Sequence, residues 1–141
     1  LVQTEMGTGG RIMRLENKVA WISGATSGIG EATAERFARE GAAVALIGRR
    51  LDKSEAIAQK ITQGGGRAVA IRCDVSDEAA IRESIDETVE AFGRLDIVVN
   101  NSGMVDVREL HEYTLEQFRY VMDVNVTSMY LAFKYAFPRL R

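Results

Sequence analysis

Short apolar runs alternate with longer stretches of helical periodicity from Lys18 onward. Four of these runs, at 19–23, 43–47, 69–72 and 95–99, have the length of buried strands. Such alternation is typical of repeated βα units, in which each helix carries the chain back to a parallel sheet. The pattern therefore predicts an α/β fold.

The stretches between the strands predict amphipathic helices. In the first, Ile29, Thr33 and Phe37 recur every four residues, and this helix is expected to end near Gly41. The second covers about 51–63 and closes at three consecutive glycines, which favour a surface loop rather than a phosphate-binding turn.

A third helix is predicted between Ser76 as its cap and Gly93 as its terminator. After the fourth strand and a loop at 104–110, helical patterns begin at Leu115 and at Met122. The core stripe of the third helix consists of apolar residues at helical spacing: Ile81, Ile85, Val89 and Phe92.

Consecutive parallel strands need right-handed crossovers, so the helices must cover both faces of the sheet. A doubly wound, Rossmann-type parallel sheet with strand order 3-2-1-4 follows, incomplete at its fourth strand. Its switch point lies between strands 1 and 4, and a ligand is expected beyond their carboxyl ends. The turns after Ser23 and Val99 are therefore the candidate site.

The composition is that of one globular domain, with 141 residues, 46% of them hydrophobic and 27% charged. A net charge of -2 gives no basic face for nucleic acid, and the longest apolar run, 42–47, is too short to cross a membrane. Cys73 is the single cysteine, which fits a reducing compartment and predicts a cytoplasmic protein; with one histidine, no metal site is expected.

Residues 1–13 are Gly-rich, lack an apolar core for a signal peptide and end at Met13, a possible natural start. We interpret them as a flexible leader. The remaining residues, 14–141, are predicted to form the dinucleotide-binding domain.

The first candidate turn, 23–30, reads SGATSGIG and joins a strand to a helix. Its glycine spacing differs from the G-x-G-x-x-G fingerprint, but the physical argument is the same. Glycine lets the backbone approach a pyrophosphate, and the helix N-terminus offers free N–H groups and a positive dipole end. The alternative is that Gly24, Gly28 and Gly30 only form a tight turn.

Four segments in order resemble motifs of the short-chain dehydrogenase/reductase family. SGATSGIG resembles TGxxxGIG, with Ser23 in place of Thr, and 73–75 (CDV) resembles the Asp-Val pair whose Asp meets the adenine. The segment 100–103 (NNSG) resembles NNAG, and 123–126 (DVNV) resembles the segment with the catalytic Asn. The resemblance covers residues 15–141.

The resemblance implies an enzyme that transfers hydride between a nicotinamide cofactor and a carbonyl or alcohol substrate. It assigns a catalytic role to Asn125, and it places the family's Ser, Tyr and Lys beyond Arg141. The rival interpretation is a non-catalytic dinucleotide-binding module. The residues implied in cofactor binding are Gly24, Ala25, Thr26, Ser27, Gly28, Ile29, Gly30, Asp74, Val75, Asn101, Ser102 and Gly103.

Residue types alone leave simpler roles open for these positions. Asp74 could be a turn or capping aspartate, and Asn125 could satisfy buried backbone in a helix. Short amides at a strand end can also hydrogen-bond neighbouring backbone, so Asn100 and Asn101 are expected to brace strand 4 against the first turn.

Tyr130 and Lys134 have the Tyr-x-x-x-Lys spacing of the family's catalytic pair, but they lie too soon after Asn125 and are interpreted as structural. His111 is expected to be a surface residue. The aromatic residues of the last helices are expected to serve packing: Phe118, Tyr120, Phe133 and Phe137.

Cofactor choice depends on the end of strand 2. An NAD site places an acidic residue there, but this chain has Gly48 followed by Arg49 and Arg50. A guanidinium can bind the 2′-phosphate of NADP, and Arg49 matches the position of a basic residue in NADP-preferring family members. Asp52 is the counterargument, although it also suits capping of the next helix. NADP is therefore predicted, with NAD less favoured.

The helix that begins near Met122 is apolar on two sides. Val124, Leu131 and Tyr135 lie on one side, and a helix of this kind should be buried on both. We expect a homo-dimer or homo-tetramer, as the family resemblance also implies. The second stripe consists of Met122, Val126, Met129, Phe133 and Phe137.

Overall fold

The computed structural model describes residues 12–140 and contains a four-stranded sheet between two layers of helices. Most of the predicted leader, residues 1–11, lies outside the described residues. The strands are β1 (Val19–Ser23), β2 (Ala43–Gly48), β3 (Arg67–Arg72) and β4 (Ile97–Val99). The helices are α1 (Gly28–Arg39), α2 (Leu51–Gln63), α3 (Glu78–Phe92), α4 (Leu115–Met122) and α5 (Ser128–Ala136).

The sheet is parallel with the order β3-β2-β1-β4, which confirms the predicted topology. In its register, Ser23 pairs with Ile47, and Ile22 pairs with Val99. The carboxyl ends of β1, β2 and β4 therefore meet at one edge, where the doubly wound fold places ligands.

Both central strands are buried along their whole length because helices cover each face. On one face, Ile22 and Leu46 pack with residues of α1 and α2; on the other, Trp21 packs with α3 and α5. The indole Nε1 of Trp21 donates to Ser84 Oγ of α3 at 3.0 Å, so its one polar group is satisfied in the core.

The predicted boundaries of α3 and of the fourth strand are wrong. The cap of α3 is Asp77, whose carboxylate accepts from the backbone of Ala79 and Ala80, whereas the Ser76 hydroxyl donates to Asp74. The fourth strand is shorter than 95–99; Leu95 is fully buried but forms only an isolated bridge, to Leu140.

The sheet-facing side of α1 also differs from the prediction. Ile29 is 78% exposed, whereas Gly30 and Ala34 are buried. The helix begins so close to the turn after β1 that a Cβ at Gly30 would lie 2.1 Å from Gly24 O. Small residues therefore occupy the contact, and the larger Ile29 faces outward.

The helical patterns from Leu115 and Met122 form one continuous rod, in which a π-helical turn (Asp123–Thr127) joins α4 to α5. Val124 and Leu131 pack into the core, as predicted for one stripe. The other stripe is exposed, with Phe133 at 51% and Phe137 at 79%. These two aromatic side chains therefore pack little against the core of the single chain, and their predicted packing depends on a contact outside it. Among the described residues, no helix is long and apolar enough to cross a membrane.

Asp96 joins the beginnings of β1 and β4. Its side chain is 3% exposed, accepts from Val19 N at 2.9 Å and pairs with Arg94. Burial alone would raise the pKa of Asp96, but the bonds from Arg94 and Val19 and the charges of Arg94 and Lys18 hold it below its ordinary value. The ionised carboxylate is thus the form that the fold stabilises.

We expect Asp96→Asn to lower the free energy of unfolding by about 1.5–3 kcal/mol at neutral pH, since hydrogen bonds to a charged group are lost. A folded-state pKa below the unfolded one means that this stabilisation is complete above the unfolded pKa and is lost as pH falls through the folded pKa. Urea titrations at several pH values should show the two proteins converging in acid. Asp86→Asn, which breaks only an exposed pair with Arg139, is the control, and an equal loss there would contradict the assignment.

Candidate cofactor-binding site

A cleft of about 320 Å³ opens at the carboxyl ends of the strands, at the predicted edge of the sheet. It is lined by the turn after β1, the end of β2, the segment after β3, the segment after β4, and two residues of the α4 rod. The lining residues are Gly24, Thr26, Ser27, Gly48, Arg49, Arg50, Cys73, Asp74, Val75, Asn101, Ser102, Gly103, Met104, Tyr120 and Val124.

The turn after β1 requires its glycines. Gly24 and Gly28 have φ values of +63° and +57°, which other residues rarely adopt, and a Cβ at Gly28 would meet no atom within 4 Å. Ser27, the N-cap of α1, makes no side-chain capping bond. The Ser27 side chain therefore does not occupy the first N–H groups of α1. Anion binding at a helix N-terminus requires N–H groups that are left open in this way.

Ser23 holds the turn to the segment after β4. Its buried Oγ accepts from the backbone N–H groups of Asn101 and Ser102, each at 3.0 Å, and donates to Val99 O at 3.4 Å. Asn101 Nδ2 donates to Gly24 O at 3.1 Å. Asn101 thus braces strand 4 against the first turn, as predicted. The buried Asn100 Nδ2 has no hydrogen-bond partner among the described residues.

We expect Ser23→Ala to cost about 1–3 kcal/mol of unfolding free energy, because two buried N–H groups lose their acceptor. Ser23→Thr keeps the hydroxyl and is the matched control. Thermal unfolding of both variants would measure the difference. The assignment fails if alanine is as stable as threonine at this position.

Asp74 follows β3 and lines the cleft. Its Oδ1 accepts from the Ser76 backbone at 3.0 Å and from the Ser76 hydroxyl at 2.8 Å. Burial acts to raise the pKa of Asp74, but these bonds and the nearby Arg49 charge keep it below its ordinary value. Asp74 is therefore a turn aspartate, as its alternative role predicted, and also a negative acceptor in the cleft.

Arg49 and Arg50 lie at the end of β2, at the mouth of the cleft. Arg49 Nη1 lies 3.5 Å from the hydroxyl of Tyr120, and Arg50 Nη2 donates to Thr26 Oγ1 at 3.1 Å. The N-cap of α2 is Arg50, with no side-chain capping bond, and Asp52 lies in the first turn of the helix. The suggested capping role of Asp52 is therefore wrong.

Asn125 lies in the π-helical turn and does not line the cleft. Its Oδ1 accepts from Met104 N and its Nδ2 donates to Met104 O, both at 2.8 Å. This reciprocal pair fixes the loop after Gly103 onto the helical rod, so the backbone-satisfying role predicted for Asn125 is present.

The structure brings most of the predicted binding residues to the cleft, but not all of them. Ala25 and Gly30 are buried behind the turn, while Gly28 and Ile29 are exposed at the start of α1 outside the lining. Sequence reasoning did not assign Cys73, Met104, Tyr120 and Val124 to the site. Burial raises the pKa of the Cys73 thiol to about 11, so this lining residue is not a nucleophile at neutral pH.

Tyr130 and Lys134 do not line the cleft. Tyr130 is 64% exposed, and Lys134 donates to Glu78 Oε1 at 2.9 Å. His111 is exposed in a short 3₁₀ turn, Leu110–Glu112, as predicted. In the part of the chain that the structure describes, no cluster of His, Cys, Asp or Glu could hold a metal ion.

The sheet order and the cleft at its carboxyl edge define a Rossmann-type α/β protein. The sequence pattern of short chain dehydrogenases matches residues 18–141, and the chain belongs to this family. An uncharacterized oxidoreductase of Methylorubrum extorquens is 41% identical over 121 residues, which are 84% of this chain and 48% of that protein.

Solved structures agree with this family. A dehydrogenase/reductase from Sinorhizobium meliloti has a TM-score of 0.88 at 44% identity, over 92% of this chain and 52% of that one. A short chain dehydrogenase from Burkholderia cenocepacia, solved in complex with NADP, has a TM-score of 0.86 at 38% identity, over 90% and 52% of the two chains. The chain thus spans about half the length of these relatives.

Proposed function

We propose that this chain binds NADP(H) and belongs to an oxidoreductase that transfers hydride between the nicotinamide and a carbonyl or alcohol substrate. One observation carries the proposal: the glycine-rich turn, with Ser27 as the N-cap residue of α1, lines the same cleft as Arg49 and Arg50. The arrangement offers backbone N–H groups to a pyrophosphate and guanidinium groups to a further phosphate. The Burkholderia cenocepacia relative with bound NADP supports the cofactor class.

The remaining cleft residues suit the other parts of a dinucleotide. Asp74 and Val75 are proposed to meet the adenine, the carboxylate as an acceptor and the valine as an apolar contact. Asn101, Ser102 and Gly103 form the part of the cleft lining that lies against the glycine-rich turn. The bound cofactor supplies the hydride chemistry, and the chain supplies its orientation.

NADP rather than NAD is favoured by what stands at the end of β2. Gly48 offers no carboxylate to accept from the ribose hydroxyls, and both following side chains are cationic. A 2′-phosphate beside two guanidinium groups gains charge-assisted bonds that a hydroxyl cannot make. Asp52, the alternative acidic residue, does not line the cleft.

For Asn125 we propose a positioning role in catalysis. Its side-chain amide is bonded on both sides to Met104, a cleft residue, so it sets the loop that borders the cofactor wall. π-helical turns occur frequently at functional sites, which agrees with this placement. In the family, this Asn belongs to the proton relay.

The rival function, a dinucleotide-binding module without turnover, is separated from an enzyme by a labelling experiment. The protein expressed from the complete reading frame is incubated with a panel of ketones and aldehydes and with NADPH that carries deuterium at nicotinamide C4. We expect deuterium in the alcohol product. Tight NADPH binding with no transfer to any member of a broad panel would instead support the module.

We also propose that the protein is a cytoplasmic homo-dimer or homo-tetramer. The exposed stripe of the α4–α5 rod, which includes Met129 at 42% and Phe133 at 51% exposure, is the proposed contact. A row of exposed apolar side chains along one helix face is typical of an interface. Light scattering at micromolar concentration should give a mass above that of one chain, and Phe133→Glu should reduce it. A monomeric mass before mutation would contradict the proposal.

A further inference from the structure

Gly48, at the end of β2, lies close to the side chain of Thr26. A Cβ at this position would lie 2.6 Å from Thr26 Cγ2, whereas the next side chain, Ser54, is 3.7 Å away at its Oγ. Real Cβ atoms do not approach a carbon so closely, so any side chain at 48 must displace Thr26. The methyl group of Thr26 therefore reserves position 48 for glycine.

The hydroxyl of the same side chain has a second contact. Arg50 Nη2 donates to Thr26 Oγ1 at 3.1 Å, at the mouth of the cleft. In threonine the methyl and hydroxyl groups occupy two of the three staggered positions about χ1. Rotation of Thr26 by one step in either direction removes the hydroxyl from its present position. Thr26 therefore cannot make room at 48 by rotation and also keep its bond to Arg50.

We propose that Thr26 is a specificity-determining residue of the cleft. Its methyl group excludes a ribose-binding carboxylate from position 48, and its hydroxyl holds Arg50 beside Arg49, which together favour a 2′-phosphorylated adenosine. Thr26 acts through its two neighbours and is thus a positioning residue. This inference rests on the proposed NADP function. It adds Thr26, which follows β1, to the determinants of cofactor choice at the end of β2.

Two substitutions separate the two contacts. Thr26→Ser removes the methyl group and keeps the hydroxyl, whereas Thr26→Val keeps a methyl group there and removes the hydroxyl. The measured quantities are calorimetric Kd values for NADPH, NADH and adenosine 2′,5′-bisphosphate, together with Tm. Thr62→Val is the matched control, because the Thr62 hydroxyl donates to Ala58 O within α2 and Thr62 does not line the cleft.

The steric contact is tested at position 48. We expect Gly48→Ala to lower Tm, and Thr26→Ser to restore most of the loss in the double variant. We expect the Gly48→Asp variant to bind both cofactors poorly. The double variant, Thr26→Ser with Gly48→Asp, should bind NADH at least about 10-fold more tightly than Gly48→Asp alone, because it gains one charged hydrogen bond.

The hydroxyl contact is tested by Thr26→Val. We expect about 5-fold to 10-fold weaker binding of NADPH and of adenosine 2′,5′-bisphosphate, with a smaller change for NADH, as for one lost hydrogen bond. The inference is overturned if Thr26→Ser rescues neither variant of Gly48, or if Thr26→Val matches the Thr62→Val control. Equal NADH and NADPH binding by the unmutated chain would overturn the cofactor proposal instead, and the Tm rescue would still report on Thr26.

Discussion

Gly30→Ala is expected to abolish cofactor binding and to cost about 3 kcal/mol or more of unfolding free energy, as severe overpacking against backbone does. The added Cβ would lie 2.1 Å from Gly24 O and 2.5 Å from Asn101 Nδ2. Both atoms belong to the hydrogen bond that braces the glycine-rich turn against the segment after β4. The turn and α1 must separate, which removes the proposed pyrophosphate site. Urea unfolding and NADPH calorimetry measure the two effects.

Gly65→Ala is the control for a generic glycine effect. Gly65 has a φ of +87° in the loop after α2, with no atom within 4 Å of an added Cβ. The substitution should lower the free energy of unfolding by only about 1–2 kcal/mol, the penalty for a non-glycine residue in the left-handed conformation. NADPH affinity should be unchanged. If Gly30→Ala is as mild as this control and still binds NADPH, the close contact is not what shapes the turn.

Arg49→Ala is expected to weaken NADPH binding by about 10-fold to 150-fold, the equivalent of one charged hydrogen bond of roughly 1.5–3 kcal/mol. NADH should be affected far less, since it has no 2′-phosphate. Arg49 lies at the cleft mouth and forms no short ion pair with any residue in the range 12–140; its side chain bonds to the Tyr120 hydroxyl at 3.5 Å. The guanidinium can therefore engage a ligand without breaking a strong bond.

Arg39→Ala makes the same change in net charge on an exposed face of α1, away from the cleft lining. It should alter neither affinity by more than about 2-fold, because exposed charges at a distance are screened. The role of Arg49 is excluded if its removal weakens NADH and NADPH equally, or if Arg39→Ala has the same selective effect.

Much of the fold could be predicted because buried parallel strands are continuous apolar runs. β1 has the predicted bounds, as its run ends at the glycines of the turn. β3 begins at Arg67, two residues before its predicted start. Arg67 and Ala68 pair with β2 through backbone hydrogen bonds, although they do not belong to the apolar run that predicted the strand. Ladder pairing depends on the neighbouring strand, which local sequence does not describe.

The errors at the helix ends have a similar origin. Periodicity identifies α1 and correctly places Phe37 against the core, but it also selects Ile29, whereas the buried residues near the start of the helix are Gly30 and Ala34. At α3, Ser76 and Asp77 are both suitable caps, and the bond between Ser76 and Asp74 decides between them. In each case the outcome depends on contacts made after the chain folds.

The site shows the same division. Residues that directly follow a strand, such as Arg49, Asp74 and Asn101, could be placed because parallel strands bring their carboxyl ends together. Tyr120 and Val124 reach the cleft only because the α4 rod returns across the end of the sheet. No spacing rule in the sequence specifies that return, so the helical wall of the cleft had to be seen in the structure.

Calorimetric titration of the unmutated chain with NADPH and with NADH at one ionic strength tests the proposed cofactor site most directly. We expect one site per chain and NADPH binding about 10-fold to 150-fold tighter than NADH, from a charged contact to the 2′-phosphate. Equal or tighter binding of NADH, or no binding of either cofactor by the folded chain, would contradict it.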